Sequence, residues 1–167
     1  ASRVAMDKHL TKKICFKNNI PTPDWMYSKS IKNTTEISKF NNKSIVVKPS
    51  DEGSSIGLTI INCFHHNNAS KKNELNRAIK NSLKVSDNYI IEEYIKGREV
   101  TVGVLDNSTF PVLEIVPDNF YYDYECKYSK GKSKYIVPAE INDDLSQKIQ
   151  NYALDIFKII GCSNYAR

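Results

Sequence analysis

Three strand-like segments joined by very short links constrain the fold of this chain more than any other feature. The segments cover residues 89–95, 98–105 and 110–116, and the links lie at 96–97 and 106–108. Both links are rich in turn-forming residues, and links this short favour hairpin-like connections. Neighbouring segments are therefore predicted to pair in antiparallel fashion.

The rest of the chain adds helices to these strands. Residues 44–48 and 58–63 are predicted to form a second strand pair, with the glycine-containing loop between them closing a hairpin. Helical spacing in the first segment places Leu10, Ile14 and Phe16 inward. Short antiparallel strands mixed with a few helices indicate an α+β fold. The remaining predicted elements are helices at 6–18, 31–40, 70–85 and 145–160 and a short strand at 25–27.

The composition limits the classes of protein that the chain can represent. It has 167 residues, of which 40% are hydrophobic, so it is long enough to bury a core. No apolar run approaches the roughly 20 residues needed to span a bilayer. The first residues also lack the apolar centre of a signal peptide, so a cytoplasmic protein without a membrane partner is predicted.

The cysteines, histidines and lysines do not indicate a metal site or a nucleic-acid partner. The four cysteines are scattered without a C-x-x-C pair, so free thiols are expected. His65 and His66 are adjacent, and adjacent side chains on an extended segment point in opposite directions. The net charge is +5, but the lysines are spread along the chain without a nucleic-acid-reading motif. An anionic small ligand explains the local lysine clusters equally well.

The stretch VVKPSDEGSSIG, residues 46–57, combines a lysine at a strand end with a loop of small residues. Such a loop lets backbone N–H groups approach an anion closely, and Ser50, Ser54 and Ser55 add hydroxyl donors. Lys48 adds a full positive charge. The order differs from a Walker loop, whose lysine follows its glycines, and a tight hairpin turn with an exposed lysine fits the same pattern. Both interpretations stay open at this point.

Alternation along the later strands brings carboxylates beside small residues. Glu92 and Glu93 point to opposite faces of their strand, so one of them must face the core side. Glu99 shares a face with Thr101 and Gly103, which leaves room for a ligand beside the carboxylate. The alternative is an edge face of the sheet that carries solvated charges.

The segment 117–138 shows neither helical nor strand periodicity and is too long for an ordinary connection. Within it, FYYDYECKYSKGKSKY at 120–135 alternates aromatic residues with lysines around Gly131. We interpret this segment as a lid whose tyrosines hold it on the body while Lys127 reaches a phosphate, which keeps water from a reactive intermediate. A basic aromatic strip of this kind is also suited to RNA or to an acidic partner.

Along its whole length the chain resembles the D-alanine–D-alanine ligases of the ATP-grasp superfamily. The resemblance is carried, in sequence order, by AMDKHLTKK, VVKPSDEGSSIG, IIEEYIKGREVTVGVL, FPVLEIVP, FYYDYECKYS and GCSNYAR. It implies an ATP-grasp fold with a small nucleotide-lid domain at 1–95, built from an antiparallel sheet and helices. The first part of a larger antiparallel-sheet catalytic domain would follow at 96–167, with the lid loop at 117–138. The family's amino-terminal domain and its metal-binding carboxy-terminal segment are expected outside this chain.

The resemblance also implies roles for several charged residues. Lys8 and Lys48 would hold the α- and β-phosphates of ATP, and Lys127 would serve the γ-phosphate. Ser55 and neighbouring N–H groups would line the phosphate path. Arg167 would stabilise the oxyanion of a tetrahedral intermediate, a role suited to a fixed and always charged guanidinium.

A second set of residues is implied for the nucleoside. Glu92, Tyr94 and Ile95 fall where the family binds adenine, with the carboxylate accepting from the exocyclic amine. Glu99 matches a ribose-binding glutamate.

The reaction that the resemblance implies joins two D-alanines with ATP through an acyl phosphate, for peptidoglycan synthesis. Ser54 and Tyr128 would latch the site closed, and the intact Lys127-Tyr128 pair favours a dipeptide over a D-alanyl-D-lactate product. ATP and D-alanine are the implied small-molecule partners, and the complete protein is expected to form a homodimer. The family uses Mg²⁺, whose ligands are expected beyond this chain, so the isolated chain is expected to be inactive. The alternatives are another ATP-grasp carboxylate–amine ligase, or a non-catalytic nucleotide- or RNA-binding module.

Overall fold

A computed structural model of the chain describes residues 1–29, 36–118, 129 and 131–167. The described part divides into two compact units, one made of residues 6–12 and 21–96 and the other of residues 1–5, 13–20 and 97–167. In chain order the helices are α1 (Ser2–Met6), α2 (Lys8–Lys17), a 3-10 turn (Ile37–Phe40), α3 (Ala69–Ser82) and α4 (Asp143–Ile159). The strands are β1 (Trp25–Ser28), β2 (Lys43–Pro49), β3 (Thr59–Phe64), β4 (Tyr89–Glu93), β5 (Glu99–Thr101), β6 (Val104–Leu105), β7 (Ser108–Thr109), β8 (Leu113–Pro117), β9 (Ser133–Ile136) and β10 (Tyr165–Ala166). Helices and antiparallel sheets together confirm the predicted α+β class.

The unit of residues 6–12 and 21–96 is built on one four-stranded sheet with the strand order β1-β4-β2-β3. Every pairing in it is antiparallel, and the predicted hairpin of β2 and β3 is confirmed. Helix α3 packs its apolar stripe against the sheet, and Asn68 caps it by accepting the backbone N–H of Lys71 at 3.1 Å. The core between helix and sheet is formed by Met26, Ile37, Phe40, Ile45, Val47, Ile61, Phe64, Leu75, Ala78, Ile79, Tyr89 and Ile91.

The other unit contains two three-stranded sheets, in the orders β10-β6-β7 and β5-β8-β9. Its core gathers Val102, Val112 and Ala139, with partly buried residues of α4 packed against them. Helix α4 is capped by the side chain of Asn142 and ends at Ile159, and Gly161 follows with a φ of +70°, the left-handed conformation of a helix stop. The N–H of Cys162 reaches the carbonyl of Phe157 at 2.9 Å, which closes the last turn.

The predicted pairing of the later strands is wrong in one respect. β4 takes β1 and β2 as its antiparallel neighbours and does not pair with the segment that follows it. β5 pairs with β8, which confirms the predicted pairing of the segments 98–105 and 110–116, and the turn at 106–107 joins the separate short strands β6 and β7. The link at 96–97 therefore carries the chain from one sheet to another instead of reversing it.

Two further expectations need correction. The predicted helix at 6–18 is divided at Asp7, whose carboxylate accepts the N–H of Leu10 at 3.0 Å and so caps α2. Phe16 is 73% exposed and Leu10 38%, so neither points inward as predicted, and Ile14 is only partly buried. Lys12 and Cys15 are the buried residues of α2. The segment 117–138 also contains a strand, because β9 pairs with β8. Residues 31–35, half of the predicted helix at 31–40, lie outside the described residues, and 37–40 form only a 3-10 turn.

The described part of the chain contains no helix that is both long and apolar enough to cross a membrane.

Candidate functional site

The register of the four-stranded sheet brings the predicted phosphate and adenine residues to one face. Lys48 lies opposite Ile90, and Glu92 lies opposite Val46, so Lys48 and Glu92 are diagonal neighbours on adjacent strands. Ile91, which lies between Ile90 and Glu92 on β4, points to the core on the other side of the sheet because side chains alternate along a strand. The long side chains meet, and Lys48 Nζ donates to Glu92 Oε1. Strand alternation predicts that one glutamate lies on the core face, and that residue is Glu93, at the end of β4, where it pairs with Lys43 at 2.6 Å. Glu92 lies on the opposite face, yet only 8% of its surface is exposed.

Helix α2 supplies two more lysines to this face. Lys8 and Lys12 are four residues apart and therefore lie on the same side of the helix. Lys12 Nζ is 2.9 Å from Glu92 Oε2 and donates to Thr22 Oγ1 at 2.7 Å. It also lies 5.3 Å from the centre of the Trp25 ring, a favourable position for a cation. One buried carboxylate is thus held by two ammonium groups, one from the helix and one from the strand.

Lys8 is directed at the loop that follows β2. Its backbone N–H donates to the Ser50 carbonyl at 2.8 Å, and its Nζ donates to the carbonyl of Glu52. Ser50 itself is 1% exposed and donates from its hydroxyl to Asp7 at 3.3 Å. The start of α2 is therefore joined to the predicted phosphate loop.

The charges of this cluster shift one another's protonation equilibria. Burial alone raises the pKa of Glu92, but the charges and hydrogen bonds of Lys48 and Lys12 outweigh it, so its pKa lies below the usual 4.5. Burial lowers the pKa of Lys8, and the positive charge of Lys48 lowers it further. A site that holds several ammonium groups close together is suited to a polyanion such as a phosphate chain.

An aromatic wall borders the cluster, and the sequence patterns did not reveal it. Trp25 lies opposite Glu92 in the pairing of β1 with β4, and Tyr27 lies opposite Ile90. His9 of α2 stacks on Tyr27 with ring centres 4.2 Å apart and accepts the indole N–H of Trp25 at 3.0 Å. The available signal was a tryptophan and a tyrosine two residues apart in a strand, which alternation places on one face.

The loop at 50–57 has an unusual backbone. Ser54 and Ser55 both adopt left-handed φ values, +53° and +61°, which non-glycine residues rarely do. Gly57 has a φ of +69°, and a Cβ there would lie 2.9 Å from Pro49 Cγ. Local packing thus explains Gly57, whereas a Cβ at Gly53 would meet nothing within 4 Å.

The structure places the other predicted residues as follows. The Tyr94 backbone N–H donates to the Ser44 carbonyl at 2.9 Å, and Ile95 is 61% exposed. Glu99 is exposed at the start of β5, and Arg167 is exposed directly after β10. Their roles stay predictions. Lys127 and Tyr128, with most of the predicted lid, lie outside the described residues.

The room expected beside Glu99 is smaller than predicted. Gly103 lies beyond the end of β5, and a Cβ on it would be 3.1 Å from the ring of Phe110. Phe110 therefore fills the space next to Gly103. Beneath this region Arg98 Nε donates to Glu114 at 2.6 Å and its Nη1 to the carbonyl of Glu140 at 3.0 Å, which ties β5 to β8.

Comparison with known proteins gives a consistent result. The family model described as D-ala D-ala ligase C-terminus matches residues 16–167. The D-alanine–D-alanine ligase of Carboxydothermus hydrogenoformans is 38% identical over 176 residues, which cover 100% of this chain and 54% of that protein.

Two solved structures share the fold. The VanG D-Ala:D-Ser ligase from Enterococcus faecalis has a TM-score of 0.80 and 30% identity over 97% of this chain and 47% of its own. The D-alanine–D-alanine ligase from Bacillus anthracis complexed with ATP has a TM-score of 0.74 and 25% identity over 97% of this chain and 48% of its own. The chain spans about half the length of these proteins.

Proposed function

Because the chain belongs to the D-alanine–D-alanine ligase family, we propose that it carries the ATP-binding part of an enzyme that joins two D-alanines. Its fold is the ATP-grasp fold of these ligases. The observation that carries the proposal is the convergence of Lys8 and Lys48 at the loop that follows β2. Two partly buried ammonium groups favour a phosphate chain more strongly than they would in bulk water.

The proposed reaction has two steps. A carboxylate oxygen of the first D-alanine attacks the γ-phosphorus of ATP, the bond to the bridging oxygen breaks, and ADP leaves. The amine of the second D-alanine then attacks the acyl carbon, loses a proton, and displaces inorganic phosphate. Positioning and charge stabilisation suffice for these steps, since neither needs a covalent bond to the protein.

The residues take the following proposed roles. Lys8, Lys48 and Lys127 bind the α-, β- and γ-phosphates, and Ser55 lines their path. Ser54 and Tyr128 latch the lid at 117–138. The adenosine is bound by Glu92, Tyr94, Ile95 and Glu99, and Arg167 stabilises the tetrahedral oxyanion. Glu92 lies on a central strand paired on both sides, next to the aromatic wall, which supports its assignment to the base.

Mg²⁺ would neutralise phosphate charge in such a reaction. Within the described ranges no three side chains among His, Cys, Asp and Glu come together in a group that could hold a metal ion. We assign no magnesium ligand to these residues, and none of the roles above depends on one.

The first test of the proposal measures ADP and D-alanyl-D-alanine formed by the full-length gene product with ATP, magnesium and D-alanine. Lys127→Ala is expected to lower turnover by about 100-fold or more, because it removes the positive charge that would stabilise the phosphoryl group during its transfer. Lys72→Ala, on the exposed face of α3, serves as the matched control and should retain full turnover. Full-length protein that binds ATP but turns over independently of D-alanine would contradict the proposal.

A related ligase with another second substrate is the main alternative. The observation that favours it is the structural similarity to a D-Ala:D-Ser ligase. Offering D-alanine, D-serine and D-lactate in competition distinguishes the two, and we expect the D-alanine product to dominate because Lys127-Tyr128 is intact. A dominant D-alanyl-D-serine product would instead identify the protein as a ligase that uses D-serine as its second substrate.

Three further points belong to the proposal. Residues 1–95 would form the nucleotide-lid domain and 96–167 the first part of the catalytic domain. The complete four-stranded sheet within 21–96 supports the boundary between them, although residues 1–5 and 13–20 group with the unit of residues 97–167. The full-length protein would be cytoplasmic and homodimeric, without a nucleic-acid or membrane partner. Sedimentation velocity of the full-length protein tests the dimer.

A further inference from the structure

Lys12 is a buried lysine to which the proposed roles give no function. Only 7% of its surface is exposed, although lysine is one of the residues least often found buried. A buried ammonium group is unfavourable unless it is paired and hydrogen-bonded. Lys12 meets this condition through Glu92 at 2.9 Å and Thr22 at 2.7 Å. The position of Lys12 on α2, the hydroxyl group of Thr22 and the face of the Trp25 ring therefore together hold one positive charge beside Glu92.

The two lysines on Glu92 differ in how firmly they are held. Lys48 contacts Oε1 and Lys12 contacts Oε2, so each oxygen has its own partner. The side chain of Lys48 is 22% exposed and sits at the end of β2, next to the loop at 50–57. The side chain of Lys12 is 9% exposed and is surrounded by Thr22 and Trp25. Lys48 is thus the partner that can exchange Glu92 for a ligand, and Lys12 is the partner that stays.

We propose that Lys12 is a positioning residue that holds Glu92 as a paired carboxylate and so allows Lys48 to leave it for a nucleotide phosphate. The inference rests on the proposed function, in which Lys48 binds a phosphate of ATP. With Lys12 in place, Glu92 remains paired after Lys48 has moved. Without Lys12, the same movement would leave Glu92 without a cation beside it, since the adenine amine that it would accept is neutral, and Glu92 would retain Lys48 instead.

This arrangement makes a specific prediction about ligands. Lys12 acts through Glu92 and Lys48, so its removal should weaken ligands that need Lys48 and spare those that do not. ATP carries the phosphates that Lys48 would bind, whereas adenosine carries only the base and the ribose. A residue that merely supported the fold of the cleft would affect both ligands to the same extent.

The experiment compares ATP and adenosine binding to the full-length protein by calorimetry or NMR titration. Lys12→Met is expected to raise the Kd for ATP about tenfold or more while changing the Kd for adenosine less than about threefold. Lys12→Arg keeps the charge and should restore most of the ATP affinity. Lys13→Met removes an exposed lysine next to Lys12 on the same helix and should change neither Kd.

Two additional variants keep the test decisive. If Lys12→Met does not fold, Lys12→Gln removes the charge but retains a donor, and the same difference between ATP and adenosine is expected. In a Glu92→Gln background there is no buried carboxylate to leave unpaired, so adding Lys12→Met should cause no further selective loss of ATP affinity.

The outcomes separate this inference from the proposed function. Equal losses of ATP and adenosine affinity, or a selective loss that persists in the Glu92→Gln background, would overturn the role of Lys12 alone. A wild-type full-length protein that binds no ATP would overturn the proposed function and this inference with it.

Discussion

Replacing Gly57 by alanine should destabilise the unit that contains the four-stranded sheet. Gly57 has a φ of +69°, and for an alanine this conformation costs about 1–2 kcal/mol. The added Cβ would also lie 2.9 Å from Pro49 Cγ and 3.1 Å from Val85 Cγ2. Pro49 is fully buried and cannot move aside freely, so overpacking adds about 1–3 kcal/mol. A smaller gain from the stiffer unfolded chain offsets part of this, which leaves about 2–4 kcal/mol.

Trp25 provides a direct assay for this effect. It is the only tryptophan in the sequence and lies in β1 of the same sheet, so its fluorescence reports the unfolding of that unit. The melting temperature of Gly57→Ala is expected to fall by roughly 5–15 °C. Gly53→Ala is the matched control in the same loop, where a Cβ meets nothing within 4 Å, and it should stay within about 0.5 kcal/mol of wild type. If Gly57→Ala were as stable as Gly53→Ala, the packing argument for this glycine would be wrong.

Three other predictions follow from the charges and the core. The pairing that depresses the pKa of Glu92 stabilises the fold above about pH 4.5, and this contribution is lost as the pH falls through the lower folded-state pKa. In urea titrations Glu92→Gln should therefore lose less stability than wild type as the pH is lowered below about 4.5, and equal losses would contradict the pairing. Phe40→Ala should destabilise the protein by about 3–5 kcal/mol, since Phe40 is 0% exposed, whereas Phe16→Ala, at 73% exposed, should change stability by less than about 0.5 kcal/mol in the same unfolding measurement. Arg98→Leu removes the hydrogen bonds and charge that lower the pKa of Glu114, so NMR titration should find that pKa raised, and an unchanged value would refute the assignment.

The elements that the sequence predicts well are those with locally encoded patterns. β2 and β3 are apolar runs on either side of a loop of small residues, and their hairpin depends on contacts between near neighbours in sequence. Helix α3 carries Leu75 and Ile79 at helical spacing, and both are buried against the sheet. In such segments periodicity alone determines which side faces the core.

The orientation of α2 could not be predicted from its own residues. Helical spacing favoured Leu10 and Phe16 as inward residues, yet the helix buries Lys12 instead. A lysine is unfavourable in a core unless a carboxylate meets it, and the partner, Glu92, lies 80 residues further along the chain. The sequence contains both residues but no local sign that they meet.

The prediction of which strands pair within one sheet failed for a related reason. The link at 96–97 has the composition of a turn, and turn composition describes the connection without specifying the partner strand. β4 was predicted to pair with the segment 98–105, but it pairs with β1 and β2, whose residues lie much earlier in the sequence. β9 is short and half exposed, so its pattern is weak, and only its pairing with β8 identifies it as a strand.

The irregular pairing of β3 with β2 bears on whether the edge of this sheet can pair with a strand of a second molecule. Among the described strands β3 lies at an edge of its sheet, and its sequence TIINCF contains neither charge nor proline. A flat edge of this composition is a template for intermolecular β-pairing and aggregation. Between Lys43 and Ile45 the register with β2 shifts, and Cys63 adopts a φ of +47°, so the strand is bent where its free edge would otherwise run straight. A bulge at this position makes the edge a poorer template for a second chain than a straight strand would be, and it interrupts the ladder with β2 at one position.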